Sequence, residues 1–156
     1  MSSEATEELS PVDGLAQLSF LVHGTLERLA AERGLSIIQA RLLGVLRDRT
    51  PTMKELGRLL GLDKSSTTGL VDRAQARGLV ARVPSRTDGR AVLVELTEHG
   101  RSLVSEVAAR FETEIYAILD CLKPRDRDTL SRLVSRLLVA HASDHGIDLF
   151  AGIDVH

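Results

Sequence analysis

The stretch VARVPSRTDGRAVLVELTEHG, residues 80–100, constrains the fold more than any other part of the chain. Two runs of small and β-branched apolar residues, about 79–84 and 91–96, flank a polar turn from Pro84 to Arg90 that contains the pair Asp88-Gly89. That pattern reads as a β-hairpin. The sequence on either side reads as helix. LAQLSFLVHGTLERLAAERG (15–34) carries apolar residues at helical spacing and stops at Gly34. Ser36 and Gln39 have capping-box spacing at the head of SIIQARLLGVLRD, and Thr52 and Glu55 repeat it after Pro51 at the head of TMKELGRLLG. In each box the two side chains satisfy backbone N–H groups that a helix start leaves free. Gly61 ends the second of these helices, Asp63 caps DKSSTTGLVDRAQARG, and Gly78 stops it. Beyond the hairpin, Thr97 caps a long helix, EHGRSLVSEVAARFETEIYAILDCL, and Pro124 suits the first turn of a last one, RDRDTLSRLVSRLLVAHAS. The expected fold is mainly α, with one two-stranded β element. The final DHGIDLFAGIDVH is partly apolar and carries no clear conformational signal.

Composition narrows the function classes. A chain of 156 residues with 43% hydrophobic residues can fold as one domain around a real core. Aromatics are 3%, with no Trp, which is thin for a single-strand stacking platform or a sugar cleft. The one cysteine, Cys121, excludes an internal disulfide and suits a reducing compartment. No apolar run approaches the ~20 residues of a membrane span. The start MSSEATEELSPVDG is acidic and polar, unlike a secretory or transit segment. A soluble cytoplasmic protein with no membrane partner is expected.

The charge is uneven. From Thr52 to Arg90 eight Lys and Arg face four Asp and Glu, a local +4, so the remainder carries −6 of the total −2. An acidic body with one basic segment points to an anionic partner. Two short helices with a tight turn, followed by a hairpin, make a winged helix-turn-helix, with duplex DNA as the partner. The second helix presents Lys64, Ser65, Ser66, Thr67 and Thr68 at the end that enters a major groove. Its apolar face (Leu62, Leu70, Val71, Ala74) would pack on the body, and Arg73 and Arg77 lie toward the far end, where phosphates flank the groove. Arg86 and Arg90 bracket the wing tip, where guanidinium groups suit a narrow minor groove. Asp88 would brace an arginine and shape the turn.

Catalytic chemistry is missing from this pattern. There is no phosphate loop, nucleophile elbow or zinc-spaced cluster, so no enzyme, cofactor or metal is expected. His141 and His145 are four apart but lack a third ligand. Apolar residues exceed what a small winged domain can bury: Leu15, Leu18, Phe20, Leu21 and Leu26 in the first helix, Leu133, Leu137 and Leu138 in the last. Surface of that kind marks association, here of two copies.

Residues 35–101 resemble the multiple-antibiotic-resistance regulator (MarR) family of bacterial transcription regulators. LGLDKSSTTGLVDRAQARGLVAR is similar to the family's recognition-helix segment, and DGRAVLVELTEHG to its wing. Asp88 and Arg90 match the wing pair; Thr68, Asp72 and Arg73 match the recognition helix. Gly69 and Ala74 depart from the longer side chains frequent there, which bears on operator sequence. The resemblance implies a single domain (1–156) with a DNA-binding part at 35–97 and a helical dimerisation part at 13–34 and 98–143. It implies a homodimeric, ligand-responsive repressor on a pseudo-palindromic operator, released by a small aromatic or amphipathic effector, with His23 near the effector pocket. The peroxide-sensing branch carries a reactive cysteine near the N-terminal helix. Cys121 falls elsewhere, and a thiol there reads as a small buried apolar group. The alternative reading is a dimeric winged-helix interaction module that no longer reads DNA.

Overall fold

A computed structural model of the chain describes residues 8–144. The tail from 145, including His145, lies outside the described residues. Six helices and one hairpin follow in the order α1 (Pro11–Ala31), α2 (Ile37–Arg47), α3 (Met53–Leu60), α4 (Lys64–Ala76), β1 (Val80–Pro84), β2 (Val92–Leu96), α5 (Glu98–Leu119) and α6 (Pro124–Asp144). The first helix begins four residues before the expected start because Ser10 caps it, accepting from the backbone N–H of Asp13, with Pro11 in the first turn. Both capping boxes form: Ser36 with Gln39, and Thr52 with Glu55. Gly61 and Gly78 take φ of +68°, which ends α3 and α4 at the positions a side chain would strain.

Leu42, Leu43 and Leu46 of α2, Leu56 and Leu60 of α3, and Leu70, Val71 and Ala74 of α4 form one buried cluster. Each fully buried Leu or Val in it contributes roughly 1.5–3 kcal/mol relative to exposure. The hairpin closes the cluster with Val80, Val94 and Leu96. Its strands are antiparallel with Val80 opposite Leu96 and Arg82 opposite Val94. The hairpin is tied to the α2–α3 loop, because Val94 N–H donates to Pro51 O at 2.9 Å and Thr52 bridges Leu93. Thr52 thus both caps α3 and anchors β2.

Thr97 starts α5 on the α4–β1 corner: its N–H donates to Leu79 O at 3.1 Å and its hydroxyl to Gly78 O at 2.6 Å. The helix then runs back across α2 and α1. Ion pairs Arg28–Glu114, Arg33–Glu106 and Arg110–Glu32 link α1 to α5. Glu32 is held below the usual carboxylate range chiefly by the hydrogen bond from Arg110. Among the described residues α6 makes no extended packing against another element. Phe20 is 70% exposed and Leu137 59%, and Leu15, Leu18, Leu21, Leu133 and Leu138 are exposed with them. Leu26 is half-buried and does not belong to that set.

Candidate nucleic-acid interface

The α3–α4 pair is built around a close crossing. A Cβ on Gly57 would lie 3.0 Å from Thr67 Oγ1 and 3.1 Å from Leu62 O, so a side chain there would push its neighbours back by a few tenths of an ångström. The crossing corrects one expectation. Thr67 is 1% exposed, and its hydroxyl donates to Asp63 O at 2.7 Å. It packs α4 onto α3 and offers nothing to a duplex. Periodicity explains this, since Thr67 shares the inward face with Leu70, Val71 and Ala74.

Lys64, Ser65, Ser66, Thr68 and Arg73 are exposed. Asp63 caps α4, accepting from Ser66 N–H at 2.7 Å and from its hydroxyl at 3.1 Å. These bonds, led by the backbone one, hold its carboxyl below the usual range. The helix start is therefore already occupied by its own anion, and any phosphate must be met by side chains. Thr68 donates its hydroxyl proton to Lys64 O at 2.8 Å, which leaves the oxygen lone pairs outward as acceptors. The Arg73 guanidinium lies back over Gly69, with Nη1 3.3 Å from where a Cβ would stand. A longer side chain at Gly69 would displace it.

Arg77 behaves differently from the other cations. Its Nη1 donates to Gly34 O at 2.8 Å and reaches Gln39 Oε1 at 3.4 Å, so it braces the α1–α2 corner. On the wing, Arg86 and Arg90 are exposed on either side of the tip. Asp88 shapes the turn as expected, but through the backbone: its Oδ1 accepts from Arg90 N–H at 3.0 Å, and its own N–H donates to Ser85 Oγ at 3.2 Å. It does not brace a guanidinium. Arg82, which carried no assigned role, is paired with Asp72 and Gln75 of α4. The available signal was its alternation with Val80, which places it on the inward side of β1. A groove of about 850 Å³ opens between α3, α4 and the wing, with Met53, Leu62 and Val92 inside and Lys54, Lys64 and Arg82 on its walls.

His23 sits exposed in the middle of α1, not in a core. Cys121 is also exposed, contrary to the buried thiol expected, because α5 ends at Leu119 and the α5–α6 corner turns it outward. Among the described residues no three His, Cys, Asp or Glu gather as a metal site, and no helix is long and apolar enough to cross a membrane.

An exposed, cation- and hydroxyl-bearing helix crossing a second short helix, beside an arginine-tipped hairpin, defines a winged helix-turn-helix protein of the DNA-binding class. Residues 33–91 match the model of the MarR family. The chain is 34% identical over 110 residues to the HTH-type transcriptional repressor NicR of Pseudomonas putida, covering 65% of this chain and 70% of that one. It is 34% identical over 106 residues to the transcriptional activatory protein BadR of Rhodopseudomonas palustris, covering 65% of this chain and 60% of that one. Its fold matches that of NadR, solved in complex with 4-hydroxyphenylacetate, with a TM-score of 0.70 at 23% identity over 88% of this chain and 97% of that one. The chain belongs to the MarR family of transcription regulators, DNA-binding proteins that are not enzymes.

Proposed function

We propose that this protein is a homodimeric, sequence-specific repressor that binds a pseudo-palindromic operator in the cytoplasm and is released by a small aromatic or amphipathic effector. One observation carries the DNA reading. The arginines that join α1 to α5 are paired with carboxylates, whereas Lys64, Arg73, Arg86 and Arg90 have no ion-pair partner among the described residues. Unneutralised cations on α4 and the wing of an acidic chain are suited to phosphates. In this reading residues 35–97 form the DNA-binding part. Lys64, Arg73, Arg86 and Arg90 meet the backbone and minor groove, and Ser65, Ser66 and Thr68 meet base edges. The outward lone pairs of Thr68 suit the amino groups of adenine or cytosine. Asp88 holds Arg90 in place. Arg77 contributes by bracing the corner.

Residues 13–34 and 98–143 form the dimerisation part, supported by the exposed apolar surface of α1 and α6. The bound 4-hydroxyphenylacetate of NadR supports an aromatic acid as the effector class. His23, on the α1 face that a second copy would cover, faces that ligand. Any such ligand opposes DNA, and DNA opposes it, by the same factor. NicR is a repressor and BadR an activatory protein at equal identity. The repressor sign proposed here follows NicR, and transcription from the promoter decides between it and the sign of BadR.

The test is a mobility shift with the duplex upstream of the protein's own gene, scanned over salt, with transcription from that promoter read alongside. Binding should weaken linearly in log–log as salt rises. No shift at any salt would refute the DNA reading and leave the interaction module.

A further inference from the structure

Residues paired across an antiparallel ladder share a face of the hairpin. Arg82 stands opposite Val94, on the face whose residues Val80 and Val94 are buried. An arginine that merely solvated the hairpin would lie on the other face, with Ala81 and Glu95. Arg82 instead rises from the inward face at the rim of the core, with its side chain 27% exposed, so its aliphatic stem covers apolar surface. Its two terminal nitrogens cross to α4. Nη2 donates to Asp72 Oδ1 at 2.7 Å, and Nη1 donates to Gln75 Oε1 at 2.7 Å. Asp72 and Gln75 are three residues apart, hence neighbours on the helix surface. The planar guanidinium fork matches two fixed acceptors in a way an ammonium cannot.

We propose that Arg82, Asp72 and Gln75 form a latch that fixes the angle between α4 and the wing, which makes Arg82 a positioning residue for sequence discrimination and not a phosphate contact. The inference rests on the reading of α4 and the wing as the two DNA-contacting elements. Its physical basis is the joint between them. The chain passes from α4 to β1 through Arg77, Gly78 and Leu79, with Gly78 at φ +68°, and the buried side of each element is held by the core. The latch closes the solvent rim of that core, where β1 and α4 diverge. Two elements that read different grooves fit one duplex geometry when their mutual angle is fixed. They adapt to many geometries, each weakly, when it is loose.

The experiment uses the full chain carrying Cys121→Ser, with spin labels at Ala76→Cys and Thr87→Cys, diluted into unlabelled protein so that one labelled copy is read. The parent should give a narrow label–label distance distribution. Arg82→Met, which keeps the stem, and Asp72→Asn should each broaden it. The reversed pair Arg82→Asp with Asp72→Arg should narrow it again. Circular dichroism should be unchanged in all four. The DNA arm uses a duplex enriched by the parent from a randomised library. Arg82→Met should weaken binding to that duplex about tenfold, within the range of losing one specific groove contact. Binding to a mixed-sequence duplex and the salt slope should be nearly unchanged. Unbroadened distributions in both single variants would overturn the latch. So would a salt slope lowered by about one in Arg82→Met and not restored by the reversed pair, since that is the mark of a phosphate contact. If the parent enriches no duplex, the DNA reading fails, and the label distances still decide the latch.

Discussion

Gly100→Ala should destabilise the protein although it replaces a glycine inside a helix. Gly100 is buried in the first turn of α5, where its N–H donates to the capping Thr97 hydroxyl at 3.0 Å. A Cβ placed there would lie 1.9 Å from Leu79 O and 2.9 Å from Leu79 C, whereas real Cβ contacts stay beyond 3.0 Å. The start of α5 would have to lift by about 1.1 Å (3.0 less 1.9), and the obstacle is backbone, which cannot rotate away. Overpacking of this kind costs about 1–3 kcal/mol. The lift also strains the hydrogen bond from Thr97 N–H to the same carbonyl, which contributes about 1 kcal/mol. Helix propensity returns about 1 kcal/mol. The net is a loss of roughly 1–3 kcal/mol, or about 2–4 °C in Tm per kcal/mol for a chain of this size. Gly44→Ala is the matched control: it lies exposed within α2 with nothing within 4 Å of its Cβ, so it should gain up to about 1 kcal/mol. Urea unfolding at one protein concentration, since self-association adds to apparent stability, reads both. A Gly100→Ala protein as stable as its parent would refute the close-approach argument.

Three further outcomes are expected. Arg90→Ala should weaken binding to the enriched duplex by roughly 1–3 kcal/mol and lower the salt slope by about one; unchanged affinity and slope would reduce the wing to a solvated hairpin. Leu133→Glu with Leu137→Glu, one turn apart on the exposed face of α6, should give monomers in sedimentation with unchanged circular dichroism; a surviving dimer would place the interface elsewhere. Glu55 is held below the usual carboxylate range, first by the backbone N–H of Thr52 and then by its hydroxyl. The stabilisation it provides is therefore complete above its unfolded pKa of about 4.3 and lost as pH falls through the lower folded value. Glu55→Gln keeps an acceptor but does not titrate, so its stability should fall less steeply below about pH 4.3 in acid unfolding. Parallel curves would contradict the assignment.

The helix starts were legible because each is decided within a few residues. Ser36 with Gln39, Thr52 with Glu55, Asp63 with Ser66, and Thr97 with Gly100 satisfy one another locally, and Gly61 and Gly78 end helices by their own backbone freedom. The hairpin was legible for the same reason: its apolar runs and its turn are contiguous. With those elements in order, the sequence alone determined a winged helix-turn-helix with a cation-rich face. Which side chain of that face turns outward depended on contacts between distant residues. Thr67 looked like one more hydroxyl beside Ser65, Ser66 and Thr68 until α3 packed on it at Gly57. Arg77 looked like a phosphate ligand until the fold brought Gly34, 43 residues away, to its guanidinium. Arg82 carried no role in the sequence until the fold brought Asp72 and Gln75 of α4 to its guanidinium. A side chain's type sets what it can bind, but only tertiary packing decides whether the protein's own acceptors reach it first.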